Sequence, residues 1–160
     1  MLRDFPSPGD LYHIRDPKNF HAAMRDDVNL LLNNKRYLAL TTVIMCCIDA
    51  LAAGTGYADP GKFEHFIKKH FPDLCALLDS VSPPHSGAHV LYDKFRNGFA
   101  HNRGPKASFV IAEDHEVGGD WAGRYPALDG QPVGINVDRL AREFLALLDQ
   151  LERSEAANAP

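Results

Sequence analysis

Apolar residues recur at helical spacing through roughly the first two thirds of the chain and then give way to alternation, so the pattern divides the sequence into a helical part and a β segment. After a proline-rich start, Asp16-Pro17 supplies an N-cap followed by proline at the first helical position. Phe20, Ala23, Met24, Val28, Leu31 and Leu32 mark one face of a first helix, which weakens at Asn33-Asn34. A second helix over 35–53 is apolar nearly all round, which predicts that protein surrounds it, and Gly54 and Gly56 end it. Asp59-Pro60 repeats the start signal for a short third helix with Phe63, Phe66, Ile67 and His70 on one face, stopping before Pro72. Residues 74–78 add one or two turns. The proline-rich stretch 82–84 is a linker into a helix over 86–102, which Gly104-Pro105 terminates.

The alternating stretches are 108–112 and 132–136. Asp129-Gly130 is a hairpin signal and Gly118-Gly119 a plausible second turn, which together predict a two- or three-stranded antiparallel flap. Asn136 caps a last helix whose Val137, Leu140, Phe144, Leu147, Leu148 and Leu151 share one face. The predicted fold class is therefore mainly α: a four- to five-helix bundle with a small antiparallel β flap before the C-terminal helix. It forms a single domain over 1–160, with a helical core at 16–104, the flap at 106–135, the last helix at 136–153 and a tail at 154–160. Within the flap, Trp121 is expected to pack against the bundle, whereas Trp121 and Tyr125 beside Arg124 also have the chemistry to stack on a base.

A length of 160 residues suffices for one core without staples. The formal charge of -4 argues against broad electrostatic adhesion to nucleic acid or acidic lipid, so any RNA contact has to be local or made by an assembly. Cys46, Cys47 and Cys75 are odd in number, and the adjacent pair lies in an apolar run, so they read as small core residues of a protein kept in a reducing cytoplasm. The apolar run 37–53 is shorter than the ~20 residues of a membrane span and contains Asp49, which predicts a buried helix and no membrane association. The proline-broken first residues do not form a secretion signal.

Chemistry concentrates in the helix over 86–102. At about 100° per residue, Leu91, Phe95 and Phe99 form an apolar stripe with Ala88 and Tyr92 beside it, while His89, Asp93, Arg96 and Asn97 lie opposite. Asp93 is placed to orient Arg96, and Asn97 to steer His101. Arg96 and His101 are separated by a rotation of about 140°, so they converge only through the length of arginine and the ending of the helix. Gly98 and Ala100 leave room for a phosphate or for a second copy of the same helix. The bland alternative is a surface ion pair with a helix-end histidine meeting the helix dipole. Arg15 and His21 have a similar spacing, but a helix start intervenes. His85 and His89, with Asp93 one turn on, have metal-ligand spacing, yet no His-Glu-x-x-His motif is completed, and neither a metal nor a cofactor is expected.

The phrase Tyr92-Asp-Lys-Phe-Arg-Asn-Gly-Phe-Ala-His101 resembles the signature of HEPN domains, in which an arginine and a following polar residue precede a histidine; Arg96, Asn97 and His101 match those positions. The apolar helix containing Asp49 is similar to the second helix of several HEPN families. The resemblance covers the helical core and the last helix, with the flap outside it. It implies a helical bundle that forms a homodimer, bringing two motifs together as a metal-independent endoribonuclease of toxin–antitoxin or defence systems, with an antitoxin or nucleotidyltransferase as partner. Arg96, Asn97 and His101 would then be catalytic, Asp49, Asp93 and Tyr92 supporting, and His89, Arg103 and Lys106 candidate RNA contacts. Neutral His101 would take the proton of a ribose 2′-hydroxyl while Arg96 stabilises charge on the phosphoryl oxygens, leaving 2′,3′-cyclic phosphate and 5′-hydroxyl ends. The family also has non-catalytic members, so a dimerisation module that binds a nucleotide or a partner protein is the alternative.

Overall fold

The computed structural model describes residues 17–54, 59–81, 86–98, 109–124 and 133–157. Helix α1 (Pro17–Asn33) presents Met24 and Val28 inward, and Lys35, at φ 51°, turns the chain into α2 (Tyr37–Ala53). Helix α3 (Pro60–His70) starts where the sequence signals it: the Asp59 carboxylate accepts the Lys62 N–H at 2.8 Å, with proline at the start of the helix. The segment expected to add a turn or two is a full helix, α4 (Pro72–Val81), because Leu74, Cys75 and Leu78 all reach the core. Ser86 caps α5 (Gly87–Val90), which continues directly into a π-helical turn (Leu91–Arg96). The chain is mainly helical. No helix among the described residues is long and apolar enough to cross a membrane.

The sheet corrects the antiparallel flap. Strands β1 (Phe109–Ala112), β2 (Ala122–Arg124) and β3 (Val133–Asn136) lie in the order β1-β3-β2, with β1 parallel to β3, pairing Phe109 with Val133 and Ala112 with Asn136. Only β2 runs antiparallel to β3. A parallel pair needs a long crossover, and the residues between β1 and β3 supply it with a 3-10 turn (Asp114–Glu116), Gly118 and Gly119 at positive φ, and β2 on the far edge. The hairpin signal Asp129-Gly130 lies outside the described residues.

Helix α6 (Val137–Ala157) closes the bundle with Phe144 fully buried. Asn136, itself fully buried, caps it by accepting the Arg139 N–H at 2.9 Å, and its amide donates to Asp114 and to the Asp120 carbonyl. Trp121 packs, as its bulk suggested: it is 6% exposed, under the Arg139 guanidinium at 4.6 Å. Phe95 of the π turn meets Phe109 of β1 edge-on at 5.5 Å, joining the helical part to the sheet. Arg25 of α1 reaches Asp149 at 2.7 Å and Glu152 at 3.0 Å on α6.

Two of these carboxylates carry a pH signature. The Asn136 amide, then Arg142, holds Asp114 below its ordinary 3.8, and Arg25 holds Glu152 below its ordinary 4.5. A depressed carboxylate stabilises the fold fully above its unfolded value and loses that contribution as the pH falls through the folded one. The melting temperature is therefore expected to be level from neutral pH to about 5 and to fall at lower pH. Arg25→Ala should flatten part of that acid limb, which melts recorded in citrate and acetate buffers would check.

Candidate functional site

The site is built where the π turn crosses α2. A π-helical turn holds one more residue than an α turn, and here the Asn97 N–H bonds back to the Tyr92 carbonyl instead of one residue later. The ideal 100° spacing used on the sequence fails from Leu91 onward. Even so, Leu91 and Phe95 stay buried at 1% exposure each, while His89, Tyr92, Asp93, Arg96 and Asn97 remain partly open. Such turns are costly relative to regular helix and recur at functional sites.

Arg96 is held from two sides. Its Nη2 donates to Asp49 Oδ2 at 2.9 Å and its Nη1 to Asn97 Oδ1 at 2.8 Å, while the guanidinium lies 5.5 Å from the centre of the Tyr92 ring. The bond to Asp49 raises the pKa of Arg96, with burial opposing, so the cation is fixed at every working pH. Both partners are about one quarter exposed, at 25% and 23%, so the guanidinium is oriented yet reachable. More N–H donors remain on it than these two bonds use. Asp49 Oδ1, by contrast, is buried and has no hydrogen-bond partner among the described residues.

The supporting residues divide unequally. Asp49 holds the cation, whereas Asp93, which its spacing placed to orient Arg96, lies 2.8 Å from Lys94 Nζ. Asn97 is engaged with Arg96. Tyr92 packs edge-on against Phe63 of α3 at 5.4 Å, forming the floor beneath Arg96. His89 sits at 3.0 Å from Glu64, a partner on another helix that sequence spacing does not reveal. His101, Arg103 and Lys106, like His85 and Tyr125, lie outside the described residues. No group of three or more His, Cys, Asp or Glu placed to hold a metal occurs among the described residues.

The chain matches no protein-family model, no curated protein and no solved structure. The functional reading therefore rests on this geometry and on the sequence phrase around it.

Helix α2 departs from its expected complete burial. Leu38 is 52% exposed and Cys46 and Ala50 are open, so one side of an apolar helix faces outward. Cys46 lies about two turns beyond Leu38 and Ala50 about one turn beyond Cys46, and Asp49 lies beside them. Cys46 is accordingly not the core residue its apolar run suggested. Burial pushes the Cys47 thiol up to about 12 and that of Cys75 up to about 11, which keeps both protonated and inert at neutral pH.

Tyr92→Ala is expected to remove both the edge contact to Phe63 and the floor under Arg96. The loss should be about 2 kcal/mol in a urea titration, smaller than a fully buried aromatic would give because Tyr92 is only half buried. Activity should fall with it.

Proposed function

We propose that this chain is a HEPN-type, metal-independent endoribonuclease that acts as a homodimer. The observation that carries the reading is Arg96: a permanent cation, fixed by Asp49 and Asn97 on a π turn, partly open to solvent, and followed at the motif's spacing by His101. Arginine so oriented suits two phosphoryl oxygens, and its electrostatic stabilisation is strongest when no reorganisation is needed on binding.

In this reading neutral His101 removes the proton from a ribose 2′-hydroxyl. The 2′-oxygen attacks the adjacent phosphorus, Arg96 meets the charge that gathers on the non-bridging oxygens, and the 5′-oxygen departs and is protonated to a hydroxyl. The ends are a 2′,3′-cyclic phosphate and a 5′-hydroxyl. Asn97 and Asp49 are positioning residues that act through Arg96. The outward apolar side of α2 next to Asp49 supports a second copy packing there, which would place two motifs near one another. An antitoxin or a nucleotidyltransferase is the kind of partner this reading carries, in a cytoplasmic setting.

One feature favours a second reading. Asp49 already neutralises Arg96, which suits a HEPN-like module that dimerises or binds a nucleotide or protein without cutting RNA. Sedimentation at micromolar concentration together with incubation on a mixed RNA substrate separates the two. A dimer that cuts RNA supports the enzyme, a dimer that leaves RNA intact supports the module, and a monomer removes the composite site.

A further inference from the structure

The chain carries a net charge of -4, yet one helix face gathers three lysines and a histidine. Within the 11 residues of α3, Phe63 and Ile67 point into the core, and the opposite side carries Lys62, His65, Lys68 and Lys69, all exposed. At about 100° per residue Lys62, His65 and Lys69 fall within one sector of about 60°, and Lys68 lies about 60° beyond it on the side of Glu64. The single carboxylate inside the helix, Glu64, lies to the flank, 3.0 Å from His89 and 4.0 Å from Lys68. Asp59 precedes the helix as its cap, and Asp73 opens the next one.

Helix stability accounts for only part of this. Lys68, Lys69 and His70 in the last turn complement the negative end of the helix dipole, but Lys62 in the first turn opposes the positive end. Burial first, and then Lys69 and His65, lower the pKa of His70 at the end of the helix.

We propose that the outward face of α3, formed by Lys62, His65 and Lys69 with Lys68 beside them, binds the phosphate backbone of a single RNA strand and holds it for the Arg96 site. The proposal rests on the ribonuclease reading for the identity of the polyanion. The inner side of the same helix carries Phe63, which packs edge-on against Tyr92 below Arg96, so α3 lies between the face and the site and a strand held on the face has to pass round α3 to reach Arg96. Other anionic partners fit less well. A membrane surface calls for apolar side chains that insert, and an acidic protein calls for an apolar anchor at the centre of its interface. The exposed large hydrophobics among the described residues are Leu30 and Leu38, on α1 and α2, and none is on α3. Contact with a phosphate backbone needs cations alone, and an exposed imidazole such as His65 offers a plane on which a base can stack.

The test is binding of a fluorescent 2′-O-methyl oligoribonucleotide, which lacks the attacking hydroxyl and is not cut. Lys62→Glu/Lys69→Glu is expected to weaken it tenfold or more and to make the salt dependence shallower by about 1.4, since each phosphate contact on a single strand contributes a slope of about 0.7. Lys35→Glu/Arg36→Glu makes the same charge change at exposed positions between α1 and α2 and should alter the affinity less than about twofold. Unchanged melting curves for both variants establish that the fold is intact. Loss of binding confined to the α3 variant supports the proposal even if wild type cuts no RNA. Equal effects of the two variants, no effect of either, or equally tight capture by poly-glutamate or phosphatidylserine vesicles would overturn it even if wild type does cut.

Discussion

Arg96→Ala is expected to lower RNA cleavage by ~100-fold or more while the fold stands. Removing one preorganised charge stabiliser from a phosphoryl-transfer site costs on the order of 100- to 1000-fold in rate. The stability term is small by comparison. The pair with Asp49 is about one quarter exposed on each side, so solvent screens it, and water can replace the guanidinium at the open edge of the carboxylate. About 1 kcal/mol is the expected loss. Arg96→Lys sharpens the argument, because an ammonium keeps the charge but cannot bond Asp49, Asn97 and a phosphate at once with a planar fork. It should retain the fold and still lose roughly tenfold or more in rate. Initial rates on a fluorogenic RNA, beside melting curves, check both. An Arg96→Ala protein that cuts as fast as wild type would return Arg96 to the role of a surface ion pair.

The largest expected effect on stability lies at Gly87. A Cβ built there would sit 2.2 Å from the Cys75 carbonyl oxygen and 2.9 Å from the Cys75 carbonyl carbon and Cα. All three are backbone atoms of α4, so no side-chain rotation relieves the overlap, and α4 and α5 have to separate. Gly87 also donates its N–H to the Asp79 carboxylate, a bond that separation would break. Overpacking against backbone typically costs about 3 kcal/mol, and at about 3 °C per kcal/mol for a chain of this size Gly87→Ala should lower the melting temperature by about 10 °C. Gly54→Ala is the contrast. Its φ of +60° strains any side chain by about 1–2 kcal/mol, yet its added Cβ meets nothing within 4 Å. A Gly87→Ala variant that melts within about 2 °C of wild type would contradict the close approach of the two helices. Because α5 runs straight into the π turn, the same change should also displace Arg96 and depress activity.

Local signals in the sequence located the helices well, and the non-local features escaped them for definable reasons. Asp59-Pro60 and Asn136 mark helix starts through side-chain oxygens that accept nearby N–H groups, an interaction contained in a few consecutive residues. The parallel pairing of β1 with β3 depends on a crossover that no short window contains, and the hairpin signal at Asp129-Gly130 bears only on the β2–β3 side. The π turn is equally invisible, since Leu91 and Phe95, four residues apart, share one face of a regular helix as well and the extra residue per turn leaves no mark in that spacing. At the site, Arg96, Asn97 and Tyr92 were legible because they share one helical segment. The choice of Asp49 over Asp93 as the partner of the guanidinium was not, because it depends on how α2 crosses that segment. The cationic face of α3 was readable in the spacing of Lys62, His65 and Lys69, but Lys68-Lys69 by itself looks like an ordinary solvated surface. The inward direction of Phe63 and Ile67 shows that Lys62, His65, Lys68 and Lys69 lie on the outward side.

The most direct test of the ribonuclease reading is made at His101. Wild-type protein and His101→Ala are incubated with RNA and with the matching DNA in the presence of EDTA, and the products are offered to polynucleotide kinase without prior dephosphorylation. Wild type should cut RNA and spare DNA, which lacks the 2′-hydroxyl, and its products should label directly because they carry 5′-hydroxyl ends. His101→Ala should lose ~100-fold or more in rate, the usual cost of removing a positioned base, while its melting curve shows the fold retained. A folded His101→Ala protein that cleaves RNA at the wild-type rate, or wild-type cleavage that EDTA abolishes, would contradict the account.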